Sequence, residues 1–344
     1  MLSSSVIFYK IASICLLILI GYFVKRMKLV PENSLNVISH YTISIATPCM
    51  VIAYMPRCID PQTIGQYWPY PVLGAGLVAF SDIIGLFTAR LFAPMNERAT
   101  FRFLAAFPNW IFLGLAVCEP LFGEVGIRIV LLFNAGITVY LWSFGMTGFR
   151  PGAGWKTVKN LVLNNQVIAT VIGLILAVAI PSLANAHLMT ATELAEQSFW
   201  VGTSMSAWEA VVLLGATALP LSIFQIGLRL AGSEKGGSVE ELTEKPNNRS
   251  LVLCSVIRLL FTPALTVLVV LLIIQLGFTM SHSEYLVVIL ICCMPTAATS
   301  LGVTDVYGGD SLLAARGVLW MTVASLATVP LVAWIANYAY LQWF

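Results

Sequence analysis

Two prolines stand near the middle of long apolar stretches, and each is followed by residues that can hydrogen-bond. Pro108 is followed by Asn109, and Pro295 by Thr296, Thr299 and Ser300. Proline has no N–H to donate and its ring clashes with the carbonyl four residues back. Pro108 therefore frees the carbonyl of Leu104, and Pro295 that of Ile291. Orphan polar groups in hydrocarbon survive only where they are buried in protein or line a cavity. Helical segments starting after the two breaks direct their N-termini toward the middle of the apolar layer. Two positive dipole ends converging on one place favour an anion such as a carboxylate. Asn109 both donates and accepts, so it suits a carboxylate or a hydroxyl. The competing account is a pair of kinks relieved by neighbouring Ser and Thr, with no ligand. Matching positions and polar residues after both breaks favour a binding site.

Other polar groups lie inside apolar runs. Asp82 sits at the centre of one, where a carboxylate costs roughly 2.5–3.5 kcal/mol on insertion scales and so should face protein. It is either a proton-responsive group supporting the breaks or a structural carboxylate paired with an arginine. Arg258 lies about 12 Å into its run at 1.5 Å per residue. It is expected to pair with Asp305 or Asp310, or to snorkel, as a structural charge; Arg316 is similar, though it also suits an anion. Asn134 and Thr138 are one helical turn apart and share a face, so they join the site if their helix lines the breaks. Tyr41, Ser44 and Thr47 form a stripe on another helix, with Ser44 and Thr47 offered to the site. No catalytic group, metal cluster or cofactor is expected. The seven cysteines are scattered among apolar residues and read as small buried hydrophobes. The three histidines (His40, His187, His282) have no ligand spacing. Gly308-Gly309-Asp310 approaches the Gly-x-Gly-Asp of intramembrane aspartyl proteases, but Tyr307 replaces its first glycine and no Tyr-Asp partner exists. No Gly-rich loop with Lys is present for a nucleotide.

The elements that must hold these residues are membrane helices. Of 344 residues, 59% are hydrophobic and 10% charged. A soluble domain of this size cannot hide so much apolar surface, whereas lipid can solvate it. The net charge of +2 comes with no basic stripe, so no nucleic-acid partner is expected. A span needs about 20 apolar residues. That template fits ten times, at 6–24, 35–55, 68–92, 101–118, 125–146, 158–180, 206–229, 250–276, 284–304 and 311–338. A segment at 181–205 with Glu193, Glu196 and Trp200 is expected to form a surface helix. The first run is no cleavable signal, since Lys10 lies inside it and it lacks a small-residue cleavage site. Lys25, Arg26, Lys28, Arg90, Arg98, Arg102, Arg150, Lys156, Lys159, Arg229, Lys235, Lys245 and Arg249 all fall on one side of this stack. The positive-inside rule makes that side cytoplasmic and puts both termini outside.

Five spans per half require the halves to enter the membrane with opposite sense, and the sequence repeats accordingly. Ser34 and Pro48 correspond to Ser206 and Pro220, at an offset of 172. Pro108, Gly114 and Gly123 correspond to Pro295, Gly302 and Gly308, at offsets of 187, 188 and 185. Inverted repeats with paired interruptions mark secondary transporters.

The run Phe107-Pro108-Asn109-Trp110-Ile111-Phe112-Leu113-Gly114, then Phe122-Gly123-Glu124, resembles helices four and five of the auxin efflux carrier family of membrane transporters. Met294-Pro295-Thr296-Ala297-Ala298-Thr299-Ser300, then Tyr307-Gly308-Gly309-Asp310, resembles its ninth helix and the turn into the tenth. Arg258-Leu259 with Pro263, Ala46-Thr47-Pro48 and Ala218-Leu219-Pro220 are similar to its eighth, second and seventh helices. The resemblance implies an all-α membrane protein of ten helices in two inverted five-helix repeats, with broken helices four and nine crossing as in bile acid/sodium symporters. It implies scaffold helices in 1–66 and 149–230, transport-domain helices in 67–148 and 250–344, and a cytoplasmic linker at 231–249. It further implies elevator motion, a homodimer through the scaffold, and small carboxylates such as malate, malonate or auxin-like acids as substrates. Pro108, Asn109, Pro295 and Thr296 carry over as the crossover residues, with Thr296 standing where the family often has Asn. Plant members often have a long loop after helix five; here it spans only about Thr147–Thr157, which points to a bacterial-type member in the inner membrane. Sodium- or proton-coupled symport of another solute is the alternative within transport, and a non-transporting membrane sensor the alternative outside it.

Overall fold

The computed structural model describes residues 4–31, 33–59, 61–62, 64–149, 165–184, 198–231 and 248–343. The start of the sixth expected span, most of 181–205 and nearly all of the 231–249 linker lie outside the described residues. Within them the chain is helical. We label α1 (Ser4–Arg26), α2 (Ser34–Cys58), α3 (Ile64–Phe92), α4 (Arg98–Ala106), α5 (Phe112–Ser143) and α6 (Asn165–Ala179). Then come α7 (Phe199–Ala216, continuing as Ala218–Ala231), α8 (Asn248–Gln275), α9 (His282–Cys293), α10 (Ser300–Tyr307) and α11 (Ser311–Trp343).

Among the described residues, six segments are long and apolar enough to cross a membrane: α2, α3, α5 with its following turn, α7, α8 and α11. Length and composition alone therefore do not mark out ten spans. In the fourth and ninth expected spans the reason is local: α4, α9 and α10 have only 9, 12 and 8 residues, because the two breaks divide what would otherwise be full crossings. α1 has 23 residues, and the start of the sixth expected span lies outside the described residues. In α5 a further bend falls at Gly123, whose φ of 56° suits glycine because a Cβ is disfavoured there. The N-terminus of α9 is set by a capping box. Ser281 Oγ accepts from Glu284 N, and Glu284 Oε2 accepts from Ser281 N at 2.7 Å.

Packing divides the helices into two groups. One holds α1, α2, α6 and α7; the other holds α3, α4, α5 and α8–α11. Without water to drive apolar faces together, close approach through small residues holds such bundles. Gly21 on α1 and Gly227 on α7 let these backbones touch, since a Cβ at either would overlap main-chain atoms of the other. Gly136 on α5 does the same against Pro71 on α3, and Gly215 on α7 against Met50 on α2. The outward faces carry large apolar side chains such as Leu19, Phe87, Leu91 and Leu268, and Trp68, Trp200, Trp334 and Trp343 are exposed. Such a surface suits lipid.

Two helices contain a widened π-turn, at Thr42–Ala46 in α2 and Ile257–Phe261 in α8. Each immediately precedes a Thr-Pro pair, Thr47-Pro48 and Thr262-Pro263. Proline cannot continue the ordinary ladder. The residue before it reaches five positions back instead: Thr47 N–H donates to Thr42 O, and Thr262 N–H to Ile257 O. The Thr47 hydroxyl also donates to Thr42 O, at 2.7 Å. One extra residue per turn shifts the register of every side chain around it.

Candidate functional site

The two breaks run past one another in opposite directions. Pro108 and Thr296 form an isolated antiparallel bridge. Asn109 N–H donates to Pro295 O at 2.7 Å, and Ala297 N–H donates to Phe107 O at 3.0 Å. The extended segments thus satisfy each other, which answers the requirement that irregular backbone at membrane depth find partners inside the protein. Thr296 adds a longer bond from its hydroxyl to Phe107 O, 3.4 Å. α5 starts three residues after Asn109, and Gly114 N–H donates to Asn109 O at 3.2 Å. α10 starts at Ser300.

A chamber of about 570 Å³ opens beside this junction, between the two packing groups. Pro108, Asn109, Trp110, Ala298 and Thr299 form one wall, and the N-terminal ends of α5 and α10 face it. Ile43 of α2, Asn165 and Gln166 of α6 and Arg229 of α7 form the other, with Trp142 and Tyr307 at the side. Arg229 is the one charged side chain among the described residues that line the chamber, and it also borders a smaller adjoining recess with Asn109, Thr299 and Gln225. The buried Thr299 Oγ1 has no hydrogen-bond partner among the described residues although it borders both spaces.

Of the expected site residues, Pro108, Asn109 and Thr299 line the chamber. Pro295 and Thr296 serve the junction itself and Thr296 is buried under it. Ser300 is buried at the first turn of α10, its hydroxyl without a hydrogen-bond partner among the described residues. Asn134 and Thr138 lie together, as their spacing implies, but behind Trp110 and not in the chamber wall. Asn134 Oδ1 accepts from Trp110 Nε1 at 2.9 Å and from the Thr138 hydroxyl at 3.2 Å. They hold the ring that lines the chamber. Ser44 and Thr47 are not in the wall either; Ile43 lines the chamber and, with Thr42, the adjoining recess. The π-turn at Thr42–Ala46 is the cause, because it rotates the stripe expected from regular helical spacing. Tyr41 pairs with Thr217 through their hydroxyls at 3.1 Å.

Asp82 is 2% exposed and fully engaged. Arg102 Nε and Nη2 donate to its two oxygens at 2.7 and 2.5 Å, and Tyr140 Oη donates at 2.8 Å. This bidentate, charge-assisted arrangement fixes α3, α4 and α5 to one another. Arg102 is thereby removed from the loop where its charge pointed and sits within α4.

Arg258 departs from expectation. Its described partners are main-chain carbonyls, not a carboxylate. Nε donates to Met294 O at 3.1 Å, Nη1 to Ala106 O at 3.0 Å and Ala105 O at 3.5 Å, and Nη2 to Cys292 O. These carbonyls are the ends of α4 and α9, so the guanidinium caps both helices before their breaks. Asp310 instead caps α11, its Oδ1 accepting from Leu313 N–H at 2.7 Å while its own N–H donates to Thr100 Oγ1. The side chain of Asp305 lies outside the described residues. Arg316 is buried on α11.

The lipid-facing exterior, the membrane-length helices and the chamber at paired breaks define a multi-pass helical membrane protein. A family model described as "Membrane transport protein" matches residues 6–156 and 153–333. The chain belongs to this family of membrane transporters, the auxin efflux carrier family whose motifs it resembles. A protein described as an uncharacterized transporter, from Methanothermobacter thermautotrophicus, is 22% identical over 324 residues, 93% of this chain and 95% of the relative.

Proposed function

We propose that the protein is a secondary carrier of a small organic anion, most simply a mono- or dicarboxylate such as malate or malonate, or an auxin-like acid. The observation that carries this reading is the chemistry of the chamber walls. Two helix N-termini, the Asn109 amide and the unpartnered Thr299 hydroxyl stand on one side, and Arg229 on the other. Each of these features can donate a hydrogen bond or is positive, which suits a carboxylate; the Asn109 amide and the Thr299 hydroxyl can also accept, from a hydroxyl on the same acid. The apolar remainder, including Trp110, Trp142 and Ile43, suits the carbon skeleton.

In this reading ten spans form two inverted halves, with α4 and the first part of α5 making span four, and α9 and α10 making span nine. The group of α1, α2, α6 and α7 is the scaffold and homodimer contact; the other group moves against it as an elevator, carrying the junction. The support is that the chamber falls between the groups and draws on both. The bias of basic residues supports both termini outside and a cytoplasmic Arg229 end of the chamber, and the short loop after span five supports a bacterial-type member in the inner membrane. Asp82 is read as a strut, since Arg102 and Tyr140 occupy both its oxygens.

A thermal-unfolding screen of purified protein against mono- and dicarboxylates, indole acids, amino acids and neutral solutes tests the reading. A midpoint raised by one class of acid is expected. A midpoint raised only by neutral solutes would overturn the anion assignment. An acid that binds but is not exchanged across proteoliposomes would favour a sensor.

A further inference from the structure

The position of Arg258 has a consequence for coupling. The residue is 1% exposed and lies in the π-turn of α8, beside the ends of two other helices. Each helix end carries about half an elementary negative charge, held on carbonyls without a partner. α4 and α9 both end there, so their combined charge is close to one unit, the charge of one monovalent cation. Four carbonyl oxygens from these two ends, Ala105, Ala106, Cys292 and Met294, accept from the single guanidinium. An oxygen cage at converging helix ends is also the chemistry that holds a free alkali cation in membrane carriers. Here the cation is covalently attached, and arginine does not lose its proton in proteins.

We propose that Arg258 is a built-in counter-cation that takes the place of a free monovalent cation at the junction, so that the carrier draws on no sodium bound there. The C-terminal ends stay neutralised throughout the cycle. The N-terminal ends of α5 and α10 consequently present their positive potential to the chamber without prior binding of an ion. The transport consequence rests on the anion-carrier reading; the ion chemistry at the junction does not, and thermal unfolding without substrate tests it separately.

Purified wild-type protein is melted in sodium, potassium and choline chloride at equal ionic strength. The three midpoints are expected to coincide, and a selective rise in sodium would overturn the proposal. Arg258→Ala is then melted with low guanidinium chloride, well below denaturing concentrations, and with equal urea. Urea offers the same planar donors without charge. Recovery of the midpoint by guanidinium and not by urea is expected; equal effects of the two, or none from guanidinium, would contradict a role for the charge. If Arg258→Ala yields no folded protein, Arg258→Lys and Arg258→Gln decide: Lys, which keeps the charge, should melt above Gln, and the reverse order would refute the proposal. If all melts agree yet no acid binds, the anion reading fails and the counter-cation stands.

Discussion

Replacing Asn109 by alanine isolates the side chain from the junction that holds it. The residue's structural bonds are main-chain: its N–H donates to Pro295 O and its carbonyl accepts from Gly114 N–H. Alanine keeps both, and its smaller side chain fits wherever asparagine does. The ligand-free protein should therefore melt close to the wild type. What is lost is the amide in the chamber wall. A hydrogen bond to a charged group contributes roughly 1.5–3 kcal/mol. Each 1.4 kcal/mol is about a factor of ten, so affinity for the carboxylate should fall by about ten- to a hundred-fold. Trp110 and Trp142 line the same chamber, so quenching of tryptophan fluorescence reports the titration. Asn109→Asp should weaken binding further, by placing a negative charge against the anion. Unchanged affinity in both variants, in folded protein, would refute the placement of the ligand at this wall.

Two further outcomes concern the charged residues. Asp82→Asn leaves Arg102 without its counter-charge and should lower stability by about 3 kcal/mol, the low end for a broken buried pair because Arg102 keeps some exposure. The double variant Asp82→Leu/Arg102→Met should recover much of that loss, read by denaturation of the detergent-solubilised protein; no recovery would mean that Asp82 does more than anchor Arg102. Arg229→Gln should weaken dicarboxylate binding more than monocarboxylate binding, since a second carboxylate is the group best placed to meet the opposite wall. Equal losses for the two acids in parallel titrations would remove Arg229 from substrate selection.

The breaks were legible because proline chemistry is local: Pro108 and Pro295 interrupt their ladders whatever surrounds them. The capping box at Ser281 and Glu284 is local in the same way. Asn109 and Thr299 followed from the breaks. The partners of Arg258 were not legible, because they are carbonyls 34 to 153 residues away and every residue has a carbonyl. Sequence offered only the carboxylates of Asp305 and Asp310, or snorkelling, to account for it. Asn134 and Thr138 show a different limit. Their spacing fixes a shared face, but not that the Trp110 indole covers it. Ser44 and Thr47 lost their place to a π-turn that Pro48 induces, a register shift that regular periodicity does not foresee. Arg229 counted as one more basic residue at a span end; only the approach of α2 and α7 to the junction puts it in the chamber wall.

The central claim is that an organic anion crosses through this chamber. Counterflow in proteoliposomes tests it most directly, using the acid that most raises the melting midpoint. Liposomes preloaded with the unlabelled acid should transiently accumulate the labelled acid above its external concentration. Asn109→Ala should cut that accumulation about in step with its lost affinity, and an uncharged amide or ester of the acid should not compete. Accumulation unaffected by Asn109→Ala, or competed equally by the uncharged analogue, would contradict the account.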